Sequence, residues 1–137
     1  MSRILAIDYG LKRVGIAVTD PLQIIAKPLV VIKCLDVIDW LQDYVKKEPV
    51  EAIVVGMPLR LNGQETHITQ DVLQFIIVLK NTFQTITIDT MDERLTSRMA
   101  RQSMIDSGMP YQKRKAKGNL DSISASLILQ SYLEKIK

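Results

Sequence analysis

Three acidic side chains stand where regular structure starts or stops. Asp8 closes the apolar run in "RILAIDYG", Glu93 lies in "DTMDERLT" after a strand-like stretch, and Asp121 sits at the head of an apolar segment in "GNLDSISASLILQSYL". Ending a buried run on a carboxylate is costly unless something compensates the charge. Carboxylates gathered at one rim of a sheet repel one another unless divalent cations join them, and hard oxygen ligands suit Mg²⁺ or Mn²⁺. Two such cations roughly 3.5–4 Å apart activate a water and stabilise the leaving oxygen in phosphodiester hydrolysis.

Basic residues accompany each acid. Lys12 and Arg13 follow Asp8, Arg94 follows Glu93, and Lys113, Arg114, Lys115 and Lys117 crowd "QKRKAKGN" ahead of Asp121. Cations so placed hold phosphates without reading sequence. Aromatic residues make up only 5% of the chain, so base stacking is not an evident recognition mode.

Each acid also has an ordinary structural reading. Asp8, with Gly10 two residues on, fits turn chemistry. Asp92 and Glu93 suit the first turn of a following helix, with Thr96 as a cap, and Asp121 suits the first turn of the last one. The basic cluster beside Gly118 reads equally well as a solvated loop. The acids become informative together, because the strands of one sheet bring their ends to a common rim.

The elements that would position them follow from periodicity. Arg3 to Asp8 and Val14 to Thr19 are apolar, β-rich runs joined by "YGLKR", which makes a hairpin; Pro28 to Lys33 adds a third strand. Leu35, Ile38, Leu41 and Val45 recur at helical spacing and stop before Pro49. Ala52 to Val55 reads as a strand, Ile68 to Leu79 as a helix, Thr85 to Asp89 as a strand, and Thr96 to Asp106 as a helix. The last helix is expected from about Leu120 to Ile136. There Ala125, Ile128 and Tyr132 share the azimuth of Asp121, so this acid is expected close to the sheet. The order β-β-β-α-β-α-β-α-α implies a mixed α/β sheet with helices on its faces.

Bulk composition narrows the class. The 137 residues suit one domain over 1–137, with 47% hydrophobic and 24% charged residues and a net charge of +3. No run approaches the roughly 20 apolar residues of a membrane span, and no secretory signal is expected. A single cysteine, Cys34, excludes an internal disulfide or a multi-cysteine metal site and suits a small core residue. Cytoplasmic residence is the expectation. His67, the only histidine, has no triad partner and reads as an exposed structural residue.

Four blocks, "AIDYGLKRVGIAVTD", "VVGMPLRLNGQE", "MDERLTSRMA" and "KGNLDSISASLILQSYL", occur in the order of the YqgF/RuvX family and resemble it across nearly the whole chain. That resemblance implies an RNase H-like mixed five-stranded sheet, three antiparallel strands first, flanked by helices. It implies metal ligands and catalytic acids on the first strand, after the fourth strand, and on the last helix, which map onto Asp8, Glu93 and Asp121. Asp92 is a helper or substitute beside Glu93. Processing of the 5′ end of the pre-16S ribosomal RNA is implied ahead of Holliday-junction cleavage, by a monomer or weak homodimer. Relatives often carry Asn at Arg60, Asp at Asn62 and Ala at Ser124; none of these changes removes a carboxylate, and Arg60 adds a phosphate contact.

Two readings of other classes compete. A non-catalytic nucleic-acid-binding module would use the same basic residues without cutting. Nucleotide binding after the manner of actin-like kinases would need a second domain and is disfavoured by the lack of a G-x-x-x-x-G-K-[ST] loop.

Overall fold

A computed structural model describes residues 2–57, 68–92 and 117–136, the side chains of 117–122 excepted. Strands β1 (Arg3–Asp8), β2 (Arg13–Thr19) and β3 (Ala26–Lys33) come first, followed by a 3-10 turn (Cys34–Asp36) and helix α1 (Val37–Lys47). Then come β4 (Val50–Met57), α2 (Thr69–Thr82), β5 (Thr87–Asp92) and a long helix α3 (Lys117–Ile136). The expected helix over Thr96 to Asp106 lies outside the described residues, as does His67.

The strands form one five-stranded sheet in the order β3-β2-β1-β4-β5. β1 pairs antiparallel with β2 and β2 with β3, while β1, β4 and β5 run parallel. This is the mixed sheet that the element order implies.

Strand alternation sends side chains to two separate cores. One face carries Leu5, Ile7, Val14, Ile16, Val18, Ile53 and Val55, covered by Val37 and Leu41 of α1 and by Val72, Phe75, Ile76 and Leu79 of α2. The other carries Ile4, Ala6, Ala17, Ala52 and Val54, covered by Ala125, Ile128, Leu129, Tyr132 and Leu133 of α3. Three alanines on the sheet side of this second core let α3 approach closely. α3 is thus the sole helix of the described residues on that face.

Several boundaries differ from expectation, among them β3, which starts at Ala26, and β4, which spans Val50–Met57; three other differences have a plain physical reason. β5 starts at Thr87 and runs on to Asp92, because the β4–β5 ladder continues through Met57↔Asp92; Thr85 and Ile86 belong to a turn in which the Ile86 amide bonds the Phe83 carbonyl at 3.2 Å. α3 begins at Lys117, so Asp121 is its fifth residue and not a first-turn acid. Leu35 falls in the 3-10 turn, where the α-helical period does not apply, and is 95% exposed instead of joining the buried stripe.

Candidate active site

Asp8 is the last residue of β1 and is half-buried. Ile4 and Ala6 lie in the α3 core, so the alternation Ile4, Ala6, Asp8 places Asp8 on the α3 face, beyond the rim of that core. Its partner on β2 is Gly15. Glycine brings no side chain there, and the position is itself buried, so the layer over the sheet comes close to the backbone beside the carboxylate. On the other side, β1 pairs with β4 as far as Ile7↔Val55, and the next residue of β4 is again a glycine, Gly56.

The loop after Asp8 is tightly built. Tyr9 lays its ring against Phe75 of α2, with centroids 4.6 Å apart, and its hydroxyl oxygen accepts a bond from Cys34 Sγ at 3.2 Å. Burial first, and then the Cys34 contact, push the Tyr9 phenol up to about 12. At Gly10 the chain passes so close to Arg13 that a Cβ would stand 2.4 Å from the Arg13 carbonyl oxygen. The Lys12 carbonyl then accepts the Cys34 amide at 2.9 Å, tying the loop to the end of β3. Cys34 is therefore a half-buried rim residue that packs against the first core without lying inside it.

Arg13 opens β2 and pairs with Lys33, the last residue of β3. Both fall on the α3 face by alternation with Gly15 and Ala17, so Asp8, Arg13 and Lys33 share one face at one rim. Arg13 is a diagonal neighbour of Asp8, a spacing of about 7–8 Å in an antiparallel ladder. Lys12 and Arg13 are exposed. Lys33 was not among the expected phosphate contacts; its signal in the sequence is the hairpin register, which sets the end of β3 opposite the start of β2.

The remaining expected residues divide between described and undescribed parts. Asp121 lies in α3, and Ala125, Ile128 and Tyr132, the residues that helical period groups with it, are all buried against the sheet. Lys117 is the first residue of that helix. Glu93, Arg60, Arg94, Lys113, Arg114 and Lys115 lie outside the described residues. Asp92 does not stand with Asp8: Asp89 and Met91 belong to the α3 face, so the pleat turns Asp92 to the other one, where it is exposed. Among the described residues, which do not include the side chains of Glu93 and Asp121, no three acidic, histidine or cysteine side chains stand close enough to hold a metal. What Asp8 supplies fits a hard divalent cation: a carboxylate at a strand end, between glycines, under a helix that carries a second carboxylate.

Known proteins similar to this chain are named as nucleases and resolvases. Residues 2–135 match the model of the RuvX family, described as Holliday junction resolvase. A protein of Amoebophilus asiaticus named "Putative pre-16S rRNA nuclease" is 50% identical over 137 residues, covering 100% of this chain and 97% of its own. One of the same name from Phocaeicola vulgatus is 47% identical, covering 100% and 99%. In fold, the chain is similar to Thermus thermophilus RuvC in complex with a Holliday junction, with a TM-score of 0.60 at 13% identity over 99% of this chain and 96% of that one. It is also similar to the fowlpox virus resolvase bound to Holliday junction DNA, with a TM-score of 0.56 at 14% identity over 98% of both chains.

Proposed function

The chain belongs to the RuvX family, and from that membership we propose that it is a divalent-metal-dependent nuclease that trims the 5′ end of pre-16S ribosomal RNA. The observation that carries the chemistry is Asp8 on the α3 face at the rim of the sheet, with glycine beside it and the Asp121-bearing helix on the same side. Names borne by relatives at 47–50% identity over their whole length support the RNA substrate.

In this reading Asp8, Glu93 and Asp121 hold Mg²⁺ or Mn²⁺. The bound ions supply an activated water and charge stabilisation at the leaving oxygen. The chain's own part is to orient and to hold. β1 and α3 fix two of the carboxylates on rigid elements, as a preorganised site requires. Lys12 and Arg13, on the loop and strand after Asp8, hold the phosphate backbone; Arg60, Arg94, Lys113, Arg114, Lys115 and Lys117 extend that contact. No helix among the described residues is long and apolar enough to cross a membrane, and we place the protein in the cytoplasm as a monomer or weak homodimer.

The family description favours branched DNA as the second reading. Purified protein and its Asp8→Asn variant, incubated with Mn²⁺ and either a pre-16S 5′ fragment or a four-way DNA junction, separate the cases. The expected result is shortened RNA, an intact junction, and loss of cutting by at least a hundredfold in Asp8→Asn with its fold retained. Cleavage of the junction alone establishes the resolvase reading. Cutting by Asp8→Asn at the wild-type rate removes Asp8 from the mechanism.

A further inference from the structure

Beyond the acids, the same rim holds an open cleft of about 510 Å³ lined by Leu11, Lys12, Arg13, Lys33, Cys34 and Leu35. That volume lies within the range of small-ligand sites, roughly 300–1,000 Å³. Two features of its lining call for a ligand. Arg13 and Lys33 are direct cross-strand partners, and like charges so placed destabilise a ladder. Lys12 adds a third cation, and among the described residues none of the three makes an ion pair with an acid. An anion seated between them would relieve the repulsion. Beside these cations, Leu11 and Leu35 are 55% and 95% exposed. Leu35 in particular serves no core, yet it stands at the edge of a cleft with cations on its other side.

An apolar wall with a cationic rim suits a group that has a flat apolar face and a negative charge. We propose that this cleft receives one unpaired nucleotide of the substrate strand, its base against Leu11 and Leu35 and its phosphate among Lys12, Arg13 and Lys33. The inference rests on the nuclease reading and deepens it, because it specifies a single-stranded segment beside Asp8. A duplex keeps its bases stacked within the helix and offers this cleft only phosphates, whereas single strands are recognised through bases that splay out. Lys33, Leu11 and Leu35 become substrate contacts in this scheme, in addition to Lys12 of the loop and Arg13 at the start of β2.

Binding measured in the presence of a chelator tests the cleft without any cutting. Fluorescence polarisation with a short single-stranded RNA and with the same sequence as a duplex is read for wild type, Leu35→Ser and Lys33→Ala. Leu35 is so exposed that its replacement leaves folding intact. Leu35→Ser is expected to weaken single-strand binding about fivefold and duplex binding less than twofold. Lys33→Ala is expected to weaken both and to lower the salt slope by about one phosphate contact. Cys34, the only thiol, gives a second readout: single-stranded RNA should slow its alkylation and the duplex should not. Unchanged affinity of Leu35→Ser for the single strand, an equal loss on both ligands, or undiminished alkylation of Cys34 overturns the proposal. If this binding pattern holds while wild type with Mn²⁺ cuts neither RNA nor junction, the nuclease reading alone has failed.

Discussion

The phenol of Tyr132, in the last turns of α3, faces the carboxylate of Asp89 in β5, and burial first, then this carboxylate, push the phenol up. Asp89 also accepts the Thr90 amide at 2.8 Å. This contact joins the helix that carries Asp121 to the strand that ends at Asp92, just before Glu93. Tyr132 is only 7% exposed, so its ring is part of the α3 core and its hydroxyl has little access to water. Replacing it with Phe keeps the ring and removes the hydroxyl that faces Asp89. The expected loss is about 1 kcal/mol in urea unfolding, the usual net contribution of one polar contact. Asp89→Asn, which still offers an oxygen, should lose less.

The same pair shows what the sequence could and could not disclose. Periodicity groups Asp121 with Ala125, Ile128 and Tyr132, and the last three are buried against the sheet. The three early strands and the α3 face were legible because alternation and helical spacing are both strong there. Asp92 was not: its place depends on how far β5 extends, and that is decided by pairing with Met57 across the ladder. Leu35 failed for a related reason. Its spacing from Ile38 is that of a helix, but the chain between Cys34 and Asp36 turns as a 3-10 segment and leaves it in solvent. Lys33 escaped notice because a lone cation at a strand end has no local signature; only its partner Arg13 gives it meaning.

Gly10 should be intolerant of any side chain. The Arg13 carbonyl oxygen lies 2.4 Å from where a Cβ would be, and that oxygen belongs to the backbone, so relief requires moving the loop. Gly10→Ala is expected to destabilise the protein by about 2 kcal/mol, within the usual range for backbone clashes. It should also displace Lys12 and Arg13 from the rim. Nucleic-acid affinity measured without metal should therefore fall in this variant even under conditions where it remains folded.

At the opposite end of the β2–β3 hairpin, Asp20 organises the turn. Its Oδ1 accepts the amides of Ile24 and Ile25, each at 2.8 Å, and its Oδ2 accepts that of Leu22 at 3.2 Å. These bonds, the one from Ile25 foremost, hold its carboxyl below the ordinary value of 3.8. A carboxylate depressed on folding contributes stability above its unfolded value and loses it as pH falls through the folded one. Urea midpoints followed downward past pH 3.8 should therefore decline in wild type and decline less in Asp20→Asn, which starts lower because its amide bonds are weaker.

Tyr9 makes the converse prediction at alkaline pH. Its phenol stands on Phe75 with Cys34 Sγ 3.2 Å from its oxygen, and burial foremost pushes its ionisation from 10.0 up to about 12. For a group raised on folding, stability is fully present below the unfolded value and is lost as pH climbs through the folded one. The window is thus pH 10.0 to about 12. Burial also raises Tyr44 and Tyr132, so wild type alone cannot isolate the effect. The difference between wild type and Tyr9→Phe can, since the other two tyrosines are common to both. Urea unfolding across that window should bring the two curves together as pH rises, with wild type losing its hydroxyl's contribution and Tyr9→Phe having none to lose. Curves that stay parallel from pH 10.0 upward would mean that Tyr9 ionises as freely in the folded protein as in the unfolded chain. The packing of its hydroxyl on Cys34, and with it the anchoring of the loop after Asp8, would then have to be abandoned.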